Sequence, residues 1–156
     1  MSKVSQLIEI SANIDDMNPQ WYGPVMDKLF ELGALDVVLV PMIMKKSRPG
    51  IQIQVLAKPG IKKKIIQCLF EETTTLGLRV AAVERYELSR EMRSVKTSYG
   101  IIPVKMARDE KGKVVNAWPE FEECLKIAQK KKIPLKKIVS SIMGAIASIA
   151  DMKDAT

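Results

Sequence analysis

Two adjacent carboxylates, Asp15 and Asp16, stand just before Asn18-Pro19. Asparagine caps free amides and proline tolerates the first helical position, so a helix starts here. Two hard oxygen donors at that place suit Mg²⁺ or Mn²⁺, which take carboxylates together with phosphate oxygens. Backbone amides at the helix start can receive an anion. The same loop also reads as a plain cap that complements the helix dipole. A second group is cationic: Lys45, Lys46 and Arg48 on a Pro49-Gly50 turn, with Arg90 and Arg93 farther along. Arginine forks grip phosphate oxygens and lysines add point charge, as a triphosphate requires. The plainer reading is a solvated sheet edge protected by lysines against strand pairing.

What is missing narrows the chemistry further. The 156 residues include no histidine, which excludes Ser-His-Asp and Cys-His catalysis and histidine-ligated zinc or nickel within this chain. Neither G-x-x-x-x-G-K-[ST] nor G-x-G-x-x-G occurs. Cys68 and Cys124 fall in helical segments far apart and read as buried reduced thiols. No apolar run is long enough for a membrane span and the polar start is unlike a signal peptide, so a cytoplasmic protein is expected. The balance of 25 Lys+Arg over 18 Asp+Glu, a net +7, favours an anionic ligand. Lys62-Lys63-Lys64 and the lysines between 126 and 137 fall on polar helix faces, where solvation is the default.

The elements that must position these residues follow from periodicity. Ile8, Ile10, Ala12 and Ile14 alternate, giving a strand over Leu7–Ile14. Tyr22, Val25, Met26, Leu29 and Phe30 repeat at helical spacing up to Gly33. Asp36–Met44 is an apolar strand, Lys45–Gly50 a turn and Ile51–Leu56 an alternating strand. Pro59-Gly60 precedes a helix carrying Ile61, Ile65, Ile66, Leu69 and Phe70. Thr73-Thr74-Thr75 ends that helix, and a fourth strand covers Leu78–Leu88. This is the β-α-β-β-α-β order of a ferredoxin-like fold. Short strands follow at Val95–Thr97, Ile101–Met106 and Lys113–Ala117. Two helices come next, one opened by Trp118-Pro119-Glu120 and one after Pro134, and Asp151–Thr156 fray. The expected class is α+β: a ferredoxin-like domain over 1–93, then a small strand and two-helix subdomain over 94–156.

With the first and third strands taken as parallel in the middle of the sheet, the polar groups separate. Asp15, Asp16, Lys58, Thr73, Thr74, Thr75 and Arg79 fall at one end. Lys45, Lys46, Arg48, Arg90 and Arg93 fall at the other. A joint metal–triphosphate site then needs loop reach or an oligomer interface.

The segments Asn13-Ile14-Asp15-Asp16-Met17-Asn18-Pro19, Met44-Lys45-Lys46-Ser47-Arg48-Pro49-Gly50 and Glu72-Thr73-Thr74-Thr75-Leu76-Gly77-Leu78-Arg79 together resemble the LarC family of nickel insertion proteins. Tyr22-Gly23, Gly33-Ala34-Leu35-Asp36-Val37, Glu84-Arg85-Tyr86, Arg90-Glu91, Tyr99-Gly100 and Pro119-Glu120-Phe121-Glu122-Glu123-Cys124 extend the likeness over nearly the whole chain. The resemblance is to the C-terminal part of that family, associated with CTP binding. It implies a CTP-dependent nickel chelatase of the lyase class, using Mg²⁺ or Mn²⁺ and inserting nickel into a pyridinium bis-thiocarboxylate mononucleotide. The product is the nickel pincer cofactor of lactate racemase, and CTP is cleaved to CMP and pyrophosphate through cytidylyl transfer.

By that analogy Asp15 and Asp16 hold the metal. Lys45, Lys46 and Arg48 contact phosphates. Thr73, Thr74, Thr75 and Arg79 bind nucleotide or phosphate, with Arg90 and Arg93 as further clamps. Expected partners are CTP, the pyridinium mononucleotide, the family's missing N-terminal part and further copies of the chain. Nucleic acid and membrane are not expected: RNA-binding ferredoxin-like sheets stack bases on central-strand aromatics, and Leu7–Ile14 and Ile51–Leu56 have none. The alternative is a non-catalytic regulatory or oligomerisation domain on the same fold.

Overall fold

The computed structural model describes residues 3–151, and side chains within 5–147. The expectation for the last residues therefore falls, beyond Asp151, outside the described part. The chain divides into two compact units, Val4–Arg85 and the segment from Tyr86 onward. Among the described residues no helix is long and apolar enough to cross a membrane.

The first unit holds β1 (Lys3–Ile14), α1 (Tyr22–Glu31), β2 (Asp36–Met44), β3 (Arg48–Ala57), α2 (Lys62–Glu72) and β4 (Arg79–Glu87), with the sheet order β2-β3-β1-β4. The alternation of β1 explains its seat. Ile10, Ala12 and Ile14 pair with Val55, Ile53 and Ile51 across the ladder, so one face of the two central strands is apolar. Tyr22, Val25 and Leu29 of α1 and Ile65, Cys68 and Leu69 of α2 pack on it. Ile10, Leu29, Ile53, Ile65 and Leu69 have no exposed surface, each such side chain contributing about 1.5–3 kcal/mol by burial.

The strand directions differ from those expected. β3 runs antiparallel to both β1 and β2, so β1 and β2 are parallel to each other with β3 between them. The helical crossover carries the chain back before β2, so β1 and β2 both exit at the same end of the sheet. The β2–β3 hairpin therefore lies beside the loop after β1, not at the opposite end. Lys58 follows Ala57, the partner of Ile8, and sits at the far end.

Two smaller differences have local causes. Asn18 caps a 3₁₀ turn over Pro19–Trp21, its side chain accepting from the Gln20 amide, and α1 proper starts at Tyr22. The hairpin turn contracts to Lys45–Ser47, because Met44 already pairs with Arg48, Ile43 with Pro49 and Met42 with Gly50.

The second unit is a three-stranded antiparallel sheet, β5 (Ser89–Thr97), β6 (Gly100–Arg108) and β7 (Val114–Pro119), with α3 (Phe121–Lys131) and α4 (Leu135–Asp151). Val95, Ile102, Val104 and Met106 form a core with Cys124, Ala128, Ile138, Ile142 and Ile146. β5 begins six residues before the Val95–Thr97 expected from sequence. On that stretch Glu91 and Arg93 stand in line with Met106 and Val104, so charge replaces the apolar alternation. Glu91 accepts from Arg108 and also pairs with Arg93, which together hold its carboxyl below the ordinary glutamate range.

Candidate functional site

The site is built at the sheet end where β1 leaves and β3 and β4 begin. Asp15, half-buried, accepts from Arg48 Nη1 at 3.1 Å across the hairpin. Asp16, exposed, accepts a hydrogen bond from the Thr74 hydroxyl. Arg79, the first residue of β4, donates through Nη2 to Asn13 Oδ1 at 2.7 Å. Asp15, Asp16, Lys45, Lys46, Arg48, Thr74 and Arg79 thus gather at one sheet end within a single unit. The acidic loop and the hairpin cations, expected at opposite ends of the sheet, are neighbours within this unit, whereas Lys58 lies at the far end.

The hairpin places its cations by an unusual backbone. Lys46 and Ser47 both take positive φ, 60° and 56°, a conformation that costs L-residues roughly 1–2 kcal/mol each. Lys45 and Lys46 are exposed and have no carboxylate partner among the described residues. Gly50 is required by close approach. A Cβ there would lie 2.8 Å from the Ile14 carbonyl oxygen and 2.6 Å from Met44 Sδ. The hairpin therefore presses directly against the start of the Asp15-Asp16 loop.

The three threonines divide their work. Thr73 Oγ1 donates to the Leu69 carbonyl and closes α2. Thr75, buried, donates to the Gly77 carbonyl and shapes the turn into β4. Thr74 is the one whose hydroxyl reaches an acidic side chain of the site.

Beside this charged end opens a cleft of about 820 Å³. Asp15 and Asp16 stand on its wall, and the remaining lining is largely apolar, with Met17, Tyr22, Pro41, Met42, Ile43 and Pro49 among it. Ile43 is 71% exposed on the edge strand β2. Burial, and second the Asp16 carboxylate, push the Tyr22 phenol above its ordinary value, so it stays protonated at neutral pH. An apolar wall beside paired acids and cations suits a ligand with a flat ring and a phosphate tail.

A hard divalent cation fits the donor set when phosphate supplies part of its shell: Asp15 and Asp16 give two carboxylates, and Mg²⁺ commonly takes one or two plus substrate oxygens. Among the described residues no cluster of three or more Cys, Asp or Glu forms a self-sufficient metal cage. Cys68 and Cys124 are both buried, and desolvation pushes both thiols up, so neither offers a thiolate at neutral pH. Arg90 and Arg93 belong to the second unit, where they meet Glu87 and Glu91.

The sequence pattern described as nickel insertion protein matches residues 2–139. The chain belongs to that family. Among the nickel insertion proteins it resembles, the pyridinium-3,5-bisthiocarboxylic acid mononucleotide nickel insertion protein of Thermotoga petrophila is 46% identical over 142 residues, 91% of this chain and 36% of the relative. The protein of the same name from Clostridium kluyveri is 47% identical over 136 residues, 87% of this chain and 34% of the relative. The chain thus spans about a third of the length of these nickel insertion proteins. The structure of LarC2, the C-terminal domain of a cyclometallase involved in synthesis of the NPN cofactor of lactate racemase, superposes with a TM-score of 0.86 at 31% identity. That match covers 93% of this chain and 99% of LarC2. The described α+β architecture is therefore that of the C-terminal part of the LarC family.

Asn13, Gln52 and Gln54 were not among the site residues expected from sequence. Their signal was present: Asn13 precedes the acidic pair on the polar phase of β1, and both glutamines occupy the wet phase of β3.

Proposed function

We propose that this chain is the CTP- and metal-binding C-terminal part of a nickel insertion protein, supporting cytidylyl activation of a pyridinium bis-thiocarboxylate mononucleotide on the way to the nickel pincer cofactor. The observation that carries the reading is the Arg48–Asp15 contact, which joins the acidic loop to the cationic hairpin beside an apolar cleft.

In this reading Lys45, Lys46, Arg48 and Arg79 hold triphosphate oxygens, and Arg48 exchanges the Asp15 carboxylate for phosphate as the nucleotide enters. Asp15, so released, and Asp16, oriented by Thr74, hold the Mg²⁺ or Mn²⁺ that accompanies CTP. The bound ion supplies charge neutralisation on the triphosphate. Thr73 and Thr75 act by fixing the turn that presents Thr74. Arg90 and Arg93 enter only as the family resemblance implies, as further clamps. The apolar cleft excludes water from one face of a planar ring. In the transfer itself, a phosphate oxygen of the mononucleotide attacks the α-phosphorus of CTP while the bond to the bridging oxygen breaks and pyrophosphate leaves. Histidine is dispensable, because positioning and charge stabilisation carry such a step. Nickel is the inserted substrate, its soft ligands supplied by substrate sulfur or by the rest of the family's longer chain.

Calorimetric titration with CTP, ATP and GTP, each with and without Mg²⁺ or Mn²⁺, tests the reading. CTP is expected to bind more tightly than the purine nucleotides, and the metal to strengthen it. The double substitution Asp15→Asn and Asp16→Asn is expected to remove the metal enhancement. Equal binding of CTP and ATP, or no metal effect in the unsubstituted protein, contradicts it.

A further inference from the structure

Asn13 marks out one cation of the site. Its Oδ1 accepts from Arg79 Nη2 at 2.7 Å and from Gln52 Nε2 at 2.8 Å, and Gln52 in turn accepts from Gln54 Nε2 at 2.6 Å. Asn13 and Gln52 are direct cross-strand partners, as are Ser11 and Gln54. These residues alternate with the apolar ones that face the helices, so the chain of amides lies on the other face of the sheet. The converging donors use the two lone pairs of one carboxamide oxygen and fix the direction in which Asn13 points.

The contrast with four other arginines is chemical. Arg48, Arg90, Arg93 and Arg108 each meet a carboxylate: Asp15, Glu87, Glu91 and Glu91. Arg79 is exposed, and its hydrogen bond is to a neutral amide; it has no carboxylate partner among the described residues. A guanidinium carries five donors, so one bond to Asn13 leaves the rest of the fork available. Arg79 is held in place while its charge stays uncompensated. Arg48 must first leave Asp15 to bind an anion fully, but Arg79 has no such competitor.

We infer that Asn13 is a positioning residue whose neutral amide, oriented by Gln52 and Gln54, presents Arg79 as the preorganised phosphate-binding cation of the site. This rests on the triphosphate reading above. It adds a prediction that a packing role does not make: charge at position 13 matters more than hydrogen bonding there.

The test compares Asn13→Asp with Asn13→Ala by calorimetric titration of CTP and of inorganic tripolyphosphate, with thermal melting as the folding control. Asp keeps acceptors for both Gln52 and Arg79 but neutralises the guanidinium. It is expected to weaken both ligands about 10-fold or more, the scale of a lost charged hydrogen bond. Ala loses the acceptor but keeps the cation, so a smaller loss of about 3-fold is expected. In an Arg79→Gln background, Asn13→Asp is expected to have little further effect, because the two substitutions act through one interaction. Near-normal binding by Asn13→Asp, or Ala weaker than Asp, overturns the inference. So does an undiminished Asn13→Asp effect in the Arg79→Gln protein, which also serves if the single variant is poorly folded. Failure of the unsubstituted protein to bind either phosphate ligand would overturn the triphosphate reading itself, and this inference with it.

Discussion

Gly50 shows how closely the site depends on single atoms. Its missing side chain lets the hairpin approach the Ile14 carbonyl, one residue before Asp15. A methyl group placed there would meet both that backbone oxygen and the Met44 sulfur within 3 Å. The thioether can move, but the carbonyl is part of the β1 ladder. Gly50→Ala is therefore expected to destabilise the protein by about 1–3 kcal/mol, the usual cost of overpacking, read as a lower denaturation midpoint in urea. A midpoint unchanged from the unsubstituted protein would show that β3 shifts freely away from β1. At this scale much was legible from residue type. Paired acids before a capped helix and a Lys-Lys-x-Arg turn carry their chemistry in their names. Asn13 shows in the sequence only as a polar residue before the acidic pair; its role comes from the neighbours that donate to it, which belong to β3 and β4.

At the level of elements, the succession of strands and helices is readable from periodicity and strand direction is not. The β-α-β-β-α-β succession follows from alternation in β1 and β3 and from helical spacing in α1 and α2. Direction depends instead on how often the chain reverses. A helix between β1 and β2 returns it to the starting end, so these strands are parallel, and the hairpin then makes β3 antiparallel to both. Taking β1 and β3 as parallel moved the hairpin cations to the wrong end of the sheet. In the second unit the first half of β5 is hidden from periodicity for a different reason, since it pairs charges where alternation would place apolar groups.

The hairpin turn also carries a trade between stability and charge. Lys46 occupies a left-handed conformation at φ 60° that glycine adopts without steric cost. Lys46→Gly is expected to leave stability unchanged or raise it by up to about 1 kcal/mol, relief of the turn being offset by the flexibility of glycine in the unfolded chain. The same variant is expected to bind CTP several-fold more weakly, because one cation is gone. Stability measured by denaturation and affinity measured by calorimetry should thus move independently. A variant that loses stability and keeps its affinity would remove Lys46 from the site and make it a structural turn residue.

On the scale of the whole molecule, the chain is the family's C-terminal part, about a third of the length of its nickel insertion relatives. It carries no histidine, and both cysteines are buried as thiols. Its contribution is therefore proposed to be the hard-metal and triphosphate side of the reaction, with nickel's soft ligands coming from elsewhere. That proposal requires the acids after β1 and the cations of the hairpin to act on one ligand. Paramagnetic broadening of backbone amide NMR signals by Mn²⁺ in the presence of CTP measures this directly. Broadening is expected for the amides of Asp15 and Asp16, of Lys45 to Arg48 and of Thr74 to Arg79, with Lys58 at the opposite sheet end left sharp. Broadening centred on Lys58, or confined to the acidic loop while the hairpin stays sharp, would contradict it.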